Sequence, residues 1–231
     1  MAARRFLITG GSQGIGAAIV QAAKEAGDEV VFTGRNKELI AQVAQETGAH
    51  GLEADVSNGE DNACAVEACR ERMGGIDVLI NNAGYGYMAP IGEVDMDAMK
   101  TMFDTNVFGL VDLTNRVVPL MKTQGQGDIV NIASTSGIKG HPNGTAYSAS
   151  KWAVRGISQC WQAELRPHDI RVVCVCPSEV QTAWGGKVGR NNPNKLYASD
   201  IADAILSTLA ANRRALWPEF AVFATNPWKE G

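Results

Sequence analysis

Tyr147 and Lys151, four residues apart in Tyr147-Ser-Ala-Ser-Lys151, are the residues whose types and spacing could do chemistry. On a helix that spacing stacks the two side chains on one face, about 5–6 Å apart at Cβ. An ammonium beside a phenol favours the phenolate, because a nearby opposite charge stabilises the charged form. A tyrosine tuned in this way exchanges a proton near neutral pH, where an ordinary phenol with a pKa of about 10 is too reluctant. Alone the pair proves little, since any amphipathic helix can carry it as a surface pair. Its company in the chain decides.

Thr9-Gly10-Gly11-Ser12-Gln13-Gly14-Ile15-Gly16 is the first companion. It falls where an apolar run, Arg5–Thr9, hands over to a segment with helical periodicity, Ala17–Ala26. Glycines there permit a tight turn and let a pyrophosphate approach the backbone, while the helix N-terminus offers N–H groups and a favourable dipole. The spacing is G-x-x-x-G-x-G rather than G-x-G-x-x-G, and a purely structural glycine turn is the alternative. The end of the next strand, Thr33-Gly34-Arg35, bears on the cofactor. An NAD site usually places an acid there for the ribose 2′-hydroxyl. Here glycine takes that place and arginine follows, with no carboxylate expected to repel a 2′-phosphate. An arginine fork suits that phosphate, so NADP(H) is favoured over NAD(H), with a solvated surface arginine as the alternative.

The elements that must position these groups alternate along the chain. Further strands are predicted at Glu29–Thr33, Gly51–Asp55, Ile76–Asn81, Asp128–Ala133, Ile170–Cys176 and within Leu216–Ala224. Helices are predicted at Lys37–Thr47, from a Ser57 or Asn58 cap to about Met73, over Met96–Lys122 with a step near Gly109, over Ala146–Arg166, and over Ser199–Asn212 with Ser199 as cap. Several strands are continuously apolar, and the alternation of strand and helix runs from end to end. Both features imply a single α/β domain, residues 1–231, with a parallel sheet covered by helices on both faces.

Composition narrows the function class. At 231 residues, 45% hydrophobic and 20% charged, the chain reads as an ordinary globular domain. A net charge of −4 gives no electrostatic case for nucleic acid or an anionic membrane. No apolar run approaches the roughly 20 residues of a membrane span. No secretory leader is expected. The five cysteines lack zinc-finger or Cys-x-x-Cys spacing, which leads us to expect reduced thiols, a cytoplasmic protein and no metal.

Taken together, these pieces resemble the classical short-chain dehydrogenase/reductase family over about Arg5 to Thr182. The resemblance implies a Rossmann-type doubly wound sheet of about seven strands. It implies that Gly10, Ser12, Gln13, Gly14, Ile15 and Gly16 cradle the cofactor, with Arg35 at the 2′-phosphate and Asp55-Val56 beside the adenine. Asn82-Ala83-Gly84, in the Asn81-Asn-Ala-Gly84 motif, would support the cofactor, and Pro177, Val180 and Thr182 would contact its nicotinamide end. Ser134, thirteen residues before Tyr147, matches the catalytic serine, and Asn106 in Asn-Val-Phe-Gly the catalytic asparagine. The implied roles are Tyr147 as proton donor and Ser134 as hydrogen-bond partner of the same oxygen. Lys151 would lower the tyrosine's pKa and hold the nicotinamide ribose, and Asn106 would position a water feeding protons to Lys151.

Two departures stand out. The family's Pro-Gly is Pro177-Ser178 here, which is costly if that turn needs positive φ. The C-terminus, ending Ala215 to Trp228, also lacks the usual glycine-rich tail. A homodimer or homotetramer is the family expectation, through the long helices following Met96 and Ala146. The expected reaction is NADP(H)-dependent reduction of small to medium aldehydes or ketones. Alternatives are an alcohol or hydroxy-acid dehydrogenase, a 3-oxoacyl thioester reductase, and a dinucleotide sensor without chemistry. Candidate walls of the substrate pocket are Tyr85, Tyr87, Met88, Ile138, His141 and Trp184, with residues 178–197 as the substrate loop and Lys187, Arg190 and Lys195 as its cations. His50 and His168 read as surface residues.

Overall fold

The computed structural model describes residues 3–182 and 192–228. Seven strands form one parallel sheet: β1 (Arg5–Ile8), β2 (Glu29–Gly34), β3 (His50–Glu53), β4 (Val78–Asn81), β5 (Gly127–Ile132), β6 (Ile170–Pro177) and β9 (Glu219–Val222). Their order is β3-β2-β1-β4-β5-β6-β9. The chain therefore builds outward from β1 in one direction and from β4 in the other. The crevice at the carboxyl ends of β1 and β4 is the topological switch point, where such sheets bind ligands. A second, two-stranded pairing joins β7 (Val180–Gln181) to β8 (Leu196–Tyr197), inside the segment expected to be a substrate loop. Trp184, Lys187 and Arg190 lie outside the described residues.

Continuous apolar runs make the central strands, which are covered on both faces. β4, β5 and β6 are buried at every position. Alternate residues of β1 serve opposite layers, as the two-residue period of a strand demands. Phe6 and Ile8 join Ile19, Ile40 and Ile201 beneath α1 (Gly14–Glu25), α2 (Lys37–Thr47) and α7 (Ala198–Ala210). Leu7 points the other way, into Val66, Leu113 and Met121 of α3 (Gly59–Met73) and α5 (Leu110–Gln124). Polar residues set the helix ends. The Asn36 and Asn58 side chains accept from Leu39 N and Glu60 N at 2.9 and 2.8 Å. Gly48, Gly74 and Gly125 stop α2, α3 and α5 in the left-handed region.

The expected step in the long helical region is a π-helical segment, Asp104–Gly109, between α4 (Met96–Phe103) and α5. Gly109 ends it, at a position where a Cβ would collide with the Val56 carbonyl. Two expectations need correcting. Ser199 does not cap α7; Tyr197 is the cap residue, and the Asp200 carboxylate accepts from its N–H at 2.8 Å. An acid three residues after the cap reaches back, and Ser199 lies already inside the helix. Ser178 causes no strain either. Asn143 and Asp169 are the non-glycine residues with positive φ among those described, and Ser178 instead donates its N–H to Val222 O at 2.9 Å.

Candidate active site

A cleft of about 660 Å³ opens at the switch point. Its floor is the turn after β1. Gly10 and Gly14 take φ of +64° and +56°, a region open to glycine at no steric cost. Gln13, the N-cap of α1, makes no side-chain cap bond, and the first turn carries no acid. The helix N-terminus is therefore free to face an anion. Gly16 does not line the cleft. A Cβ there would collide with the Gly10 carbonyl and the Asn82 amide, so its role is close packing of α1 against the turn.

Asn82 ties the turn to β4, donating to the carbonyls of Thr9 and Gly10 at 2.9 and 3.0 Å. Thr9 reciprocates, its hydroxyl accepting from the N–H groups of Asn82 and Ala83 at 3.0 Å each. Sequence reasoning passed over Thr9; its place directly before the glycines was the available signal.

At the end of β2, a side chain on Gly34 would put its Cβ 2.6 Å from the Ser12 hydroxyl. The position that carries an acid in NAD sites is thus already filled by Ser12. Arg35, two-thirds exposed, lies 3.6 Å from Asp55. This corrects the expectation that no carboxylate would stand there to repel a 2′-phosphate: the chain just past β3 brings Asp55 to the arginine. Burial works against the Asp55 carboxylate, but bonds from Ser57 and the Arg35 charge outweigh it and hold its pKa below the ordinary value.

The far end of the cleft is built by α6 (Thr145–Leu165), which presents Tyr147 and Lys151 on one face, and by the segment just after β5, which carries Ser134. Both α6 residues are buried, Tyr147 at 9% and Lys151 at 6% exposure. Lys151 Nζ lies 5.8 Å from the phenol ring centre and donates to Ile132 O at 2.9 Å. Burial pushes the Tyr147 phenol above its ordinary pKa, and the hydrogen bond with Ser134 is what works downward. Burial also lowers Lys151, to about 8. The lysine is thus a weaker influence on the phenol in the free protein than spacing implied, because its own charge is costly there.

Asn106 sits one layer behind, 1% exposed and outside the cleft lining. Its Oδ1 accepts from Tyr85 N at 3.0 Å, and its Nδ2 donates to Tyr85 O and Ser150 Oγ at 2.9 and 3.1 Å. Both amide hydrogens are thus engaged within the protein. Ser150, unremarked in the sequence, in turn donates to Tyr147 O at 2.8 Å. Asn106 therefore braces the segment after β4 against the helix carrying Tyr147.

Val56, Ala83, Gly84, Pro177, Val180 and Thr182 line the cleft with these groups, as do Gln13 and Ile15. Tyr85 and Met88 do so as well, whereas Tyr87, Ile138 and His141 do not. The Tyr87 hydroxyl instead accepts from Asp95 N at 2.8 Å. Lys195 is paired with Glu179 at 2.7 Å. His141 and His168 are exposed, and His50 is half-buried at the start of β3.

Comparison with known proteins places this geometry. The short chain dehydrogenase family profile matches residues 4–193. An uncharacterized oxidoreductase of Staphylococcus saprophyticus is 37% identical over 209 residues, covering 88% of this chain and 89% of its own. The closed form of serine dehydrogenase complexed with NADP+ superposes with a TM-score of 0.91 at 27% identity, over 98% of this chain and 97% of that one. A 3-ketoacyl-(acyl-carrier-protein) reductase from Brucella melitensis complexed with NADH gives 0.89 at 27%, over 97% and 98%. Among the described residues no helix is long and apolar enough to cross a membrane.

Proposed function

The chain belongs to the short-chain dehydrogenase family, an oxidoreductase family acting on CH–OH or carbonyl groups, and from that premise we propose that it is an NADP(H)-dependent carbonyl reductase. The observation that carries the cofactor choice is the end of β2, where Ser12 fills the acid's place and the exposed Arg35 can turn toward a 2′-phosphate. The bound cofactor supplies a hydride to the carbonyl carbon. Tyr147 donates its proton to the oxygen on which negative charge develops, and the Ser134 hydroxyl hydrogen-bonds the same oxygen. Lys151, held by Ile132 O, would hold the cofactor's ribose and lend its positive charge to the phenol, and Asn106 braces the backbone of the segment after β4.

Small or medium aldehydes and ketones are the proposed substrates, with residues 178–197 as the substrate loop. Alcohol oxidation is the second reading. It is supported by the likeness to a serine dehydrogenase, and the same proton path runs in reverse. A homo-oligomer is supported by exposed Phe108 and Trp152, 61% and 49%, on the helices after Met96 and Ala146. A cytoplasmic location is supported by five free cysteines.

The test is absorbance at 340 nm with NADPH or NADH and a panel of aldehydes, ketones and 3-oxoacyl thioesters, with alcohols and oxidised cofactors as the reverse arm. NADPH should give the higher kcat/KM. Arg35→Ser should erase about 10- to 100-fold of that preference, from the roughly 1.5–3 kcal/mol of a charge-assisted hydrogen bond. A clear NADH preference in the wild type would refute the cofactor assignment.

A further inference from the structure

The turn that carries Ser134 is held from outside the cleft. Ser134 N-caps a short 3-10 turn, Thr135–Gly137, and its Oγ accepts from Ser136 N at 3.1 Å. The far side of this turn rests on α6 one helical turn beyond Lys151. A Cβ on Gly137 would sit 2.7 Å from the Lys151 carbonyl, so the glycine permits contact of backbone with backbone. There Arg155, on the same face of α6 as Tyr147 and Lys151, donates Nη1 to Gly137 O at 2.5 Å. Its Nε and Nη2 meet both carboxylate oxygens of Glu219 at 2.8 and 2.7 Å.

Glu219 opens β9, whose register pairs it with Cys174 of β6. The Arg155 and Glu219 side chains are 15% and 30% exposed. A two-pronged guanidinium–carboxylate pair in that setting fixes orientation as well as adding energy. The sulfurs of Cys174 and Cys176 and a Glu219 oxygen lie within 4.8 Å of one another. Both Glu219 oxygens are already bonded to Arg155, and Cys176 receives the Ser134 N–H. These contacts all converge on the serine turn.

We propose that Arg155 and Glu219 are positioning residues that lock the Ser134 turn onto the Tyr147–Lys151 helix, making the C-terminal strand β9 a working part of the active site. The proposal rests on the reading above that Ser134 addresses the reacting oxygen. Glu219 anchors the arginine, the arginine anchors Gly137, and Gly137 closes the turn that aims Ser134. Misplacement of a reacting group by about 1 Å can cost roughly 100-fold in rate, so a loosened turn is felt in kcat rather than in cofactor binding.

The experiment compares wild type with Glu219→Gln, Glu219→Asp and Arg155→Met. The readouts are kcat, KM for NADPH, melting temperature, and hydrogen–deuterium exchange of the peptide spanning residues 134–139. Expected for Glu219→Gln and Arg155→Met are a fall in kcat of about 10- to 100-fold, an NADPH KM within about twofold of wild type, and faster exchange in that peptide but not in residues 10–20. Glu219→Asp, which keeps the carboxylate, should recover most of the loss. Lower melting temperatures with wild-type kcat and wild-type exchange in residues 134–139 would overturn the proposal. If Arg155→Met does not fold, Glu219→Gln alone decides by the same readouts. A wild type that turns over no carbonyl or alcohol would defeat the functional reading, while the exchange measurement would still judge the clamp.

Discussion

Lys151 is buried, bonded to one carbonyl and pushed down to about 8, so in the free protein it changes charge within a unit or so of neutral pH. Its ammonium lies 5.8 Å from the centre of the Tyr147 ring, and it is the group proposed to hold the nicotinamide ribose. Below pH 8 the charge is present; above it the charge is lost, and with it the attraction for phosphate-bearing cofactor and for a developing phenolate. Since kcat/KM reports groups of the free enzyme, kcat/KM for NADPH should fall above about pH 8, nearing tenfold per unit. A pH profile checks this, and a flat profile to about pH 10 would contradict it. Unfolding cannot mimic the fall through this group. In the unfolded chain the lysine keeps its proton to about 10.5, so between about 8 and 10.5 the unfolded state binds more protons. This residue alone then makes the fold more stable as pH rises.

At the scale of elements, the segment around Asn106 shows what local pattern can and cannot reveal. Gly109 interrupts an otherwise helical sequence, so a step there was legible, and the π-helical segment that begins at Asp104 realises it. What no local pattern could disclose is why that position excludes a side chain: a Cβ there would meet a carbonyl of Val56, more than fifty residues away in the chain. Gly109→Ala should therefore destabilise by about 1–3 kcal/mol through overpacking, read as a lower melting temperature. A neutral result would mean that the contact relaxes freely.

The same division runs through the site. Tyr147, Lys151, Ser134 and the β1 glycines were legible because motif spacing and strand–helix alternation fix them together. The bonds of Thr9 to Asn82 and Ala83, of Ser150 to Asn106, and of Arg155 to Gly137 and Glu219 were not, because each joins elements distant in sequence. Likewise the sequence placed Arg35 at a strand end without a carboxylate, and only the pairing of β2 with β3 brings Asp55 beside it. Tyr87 and Ile138 were plausible pocket walls by position, yet a backbone direction, not a residue type, decides which side chains enter a cleft.

At the scale of the whole molecule, the two ends of the sheet do different work. The cleft opens at the carboxyl ends of the strands, while the amino ends are joined by ion pairs: Arg4–Asp28, Arg5–Asp77 and Arg171–Asp128. Arg213 adds a second contact to Asp128 and fastens the segment leading to β9. For Asp77, burial raises the pKa, but the bonds from Arg5 outweigh it and hold the carboxyl below its ordinary 3.8. The stability it contributes is therefore full above about pH 4 and is lost as pH falls through the lower folded value. Asp77→Asn should be less stable than wild type by about 1–3 kcal/mol at pH 7, with the gap closing in acid. Denaturant titrations at pH 7 and below pH 4 measure it, and a gap that persists undiminished in acid would show that packing rather than charge is at stake.

The central claim, that Tyr147 gives the proton that completes hydride transfer, is met most directly by one comparison. Wild type and Tyr147→Phe would be assayed at saturating NADPH with the best carbonyl substrate, alongside the dissociation constant for NADPH. The account predicts a loss in kcat of about 100- to 10,000-fold, the range of general acid catalysis, with cofactor affinity unchanged. A phenylalanine variant that keeps most of the wild-type kcat would contradict it and remove Tyr147 from the proton path.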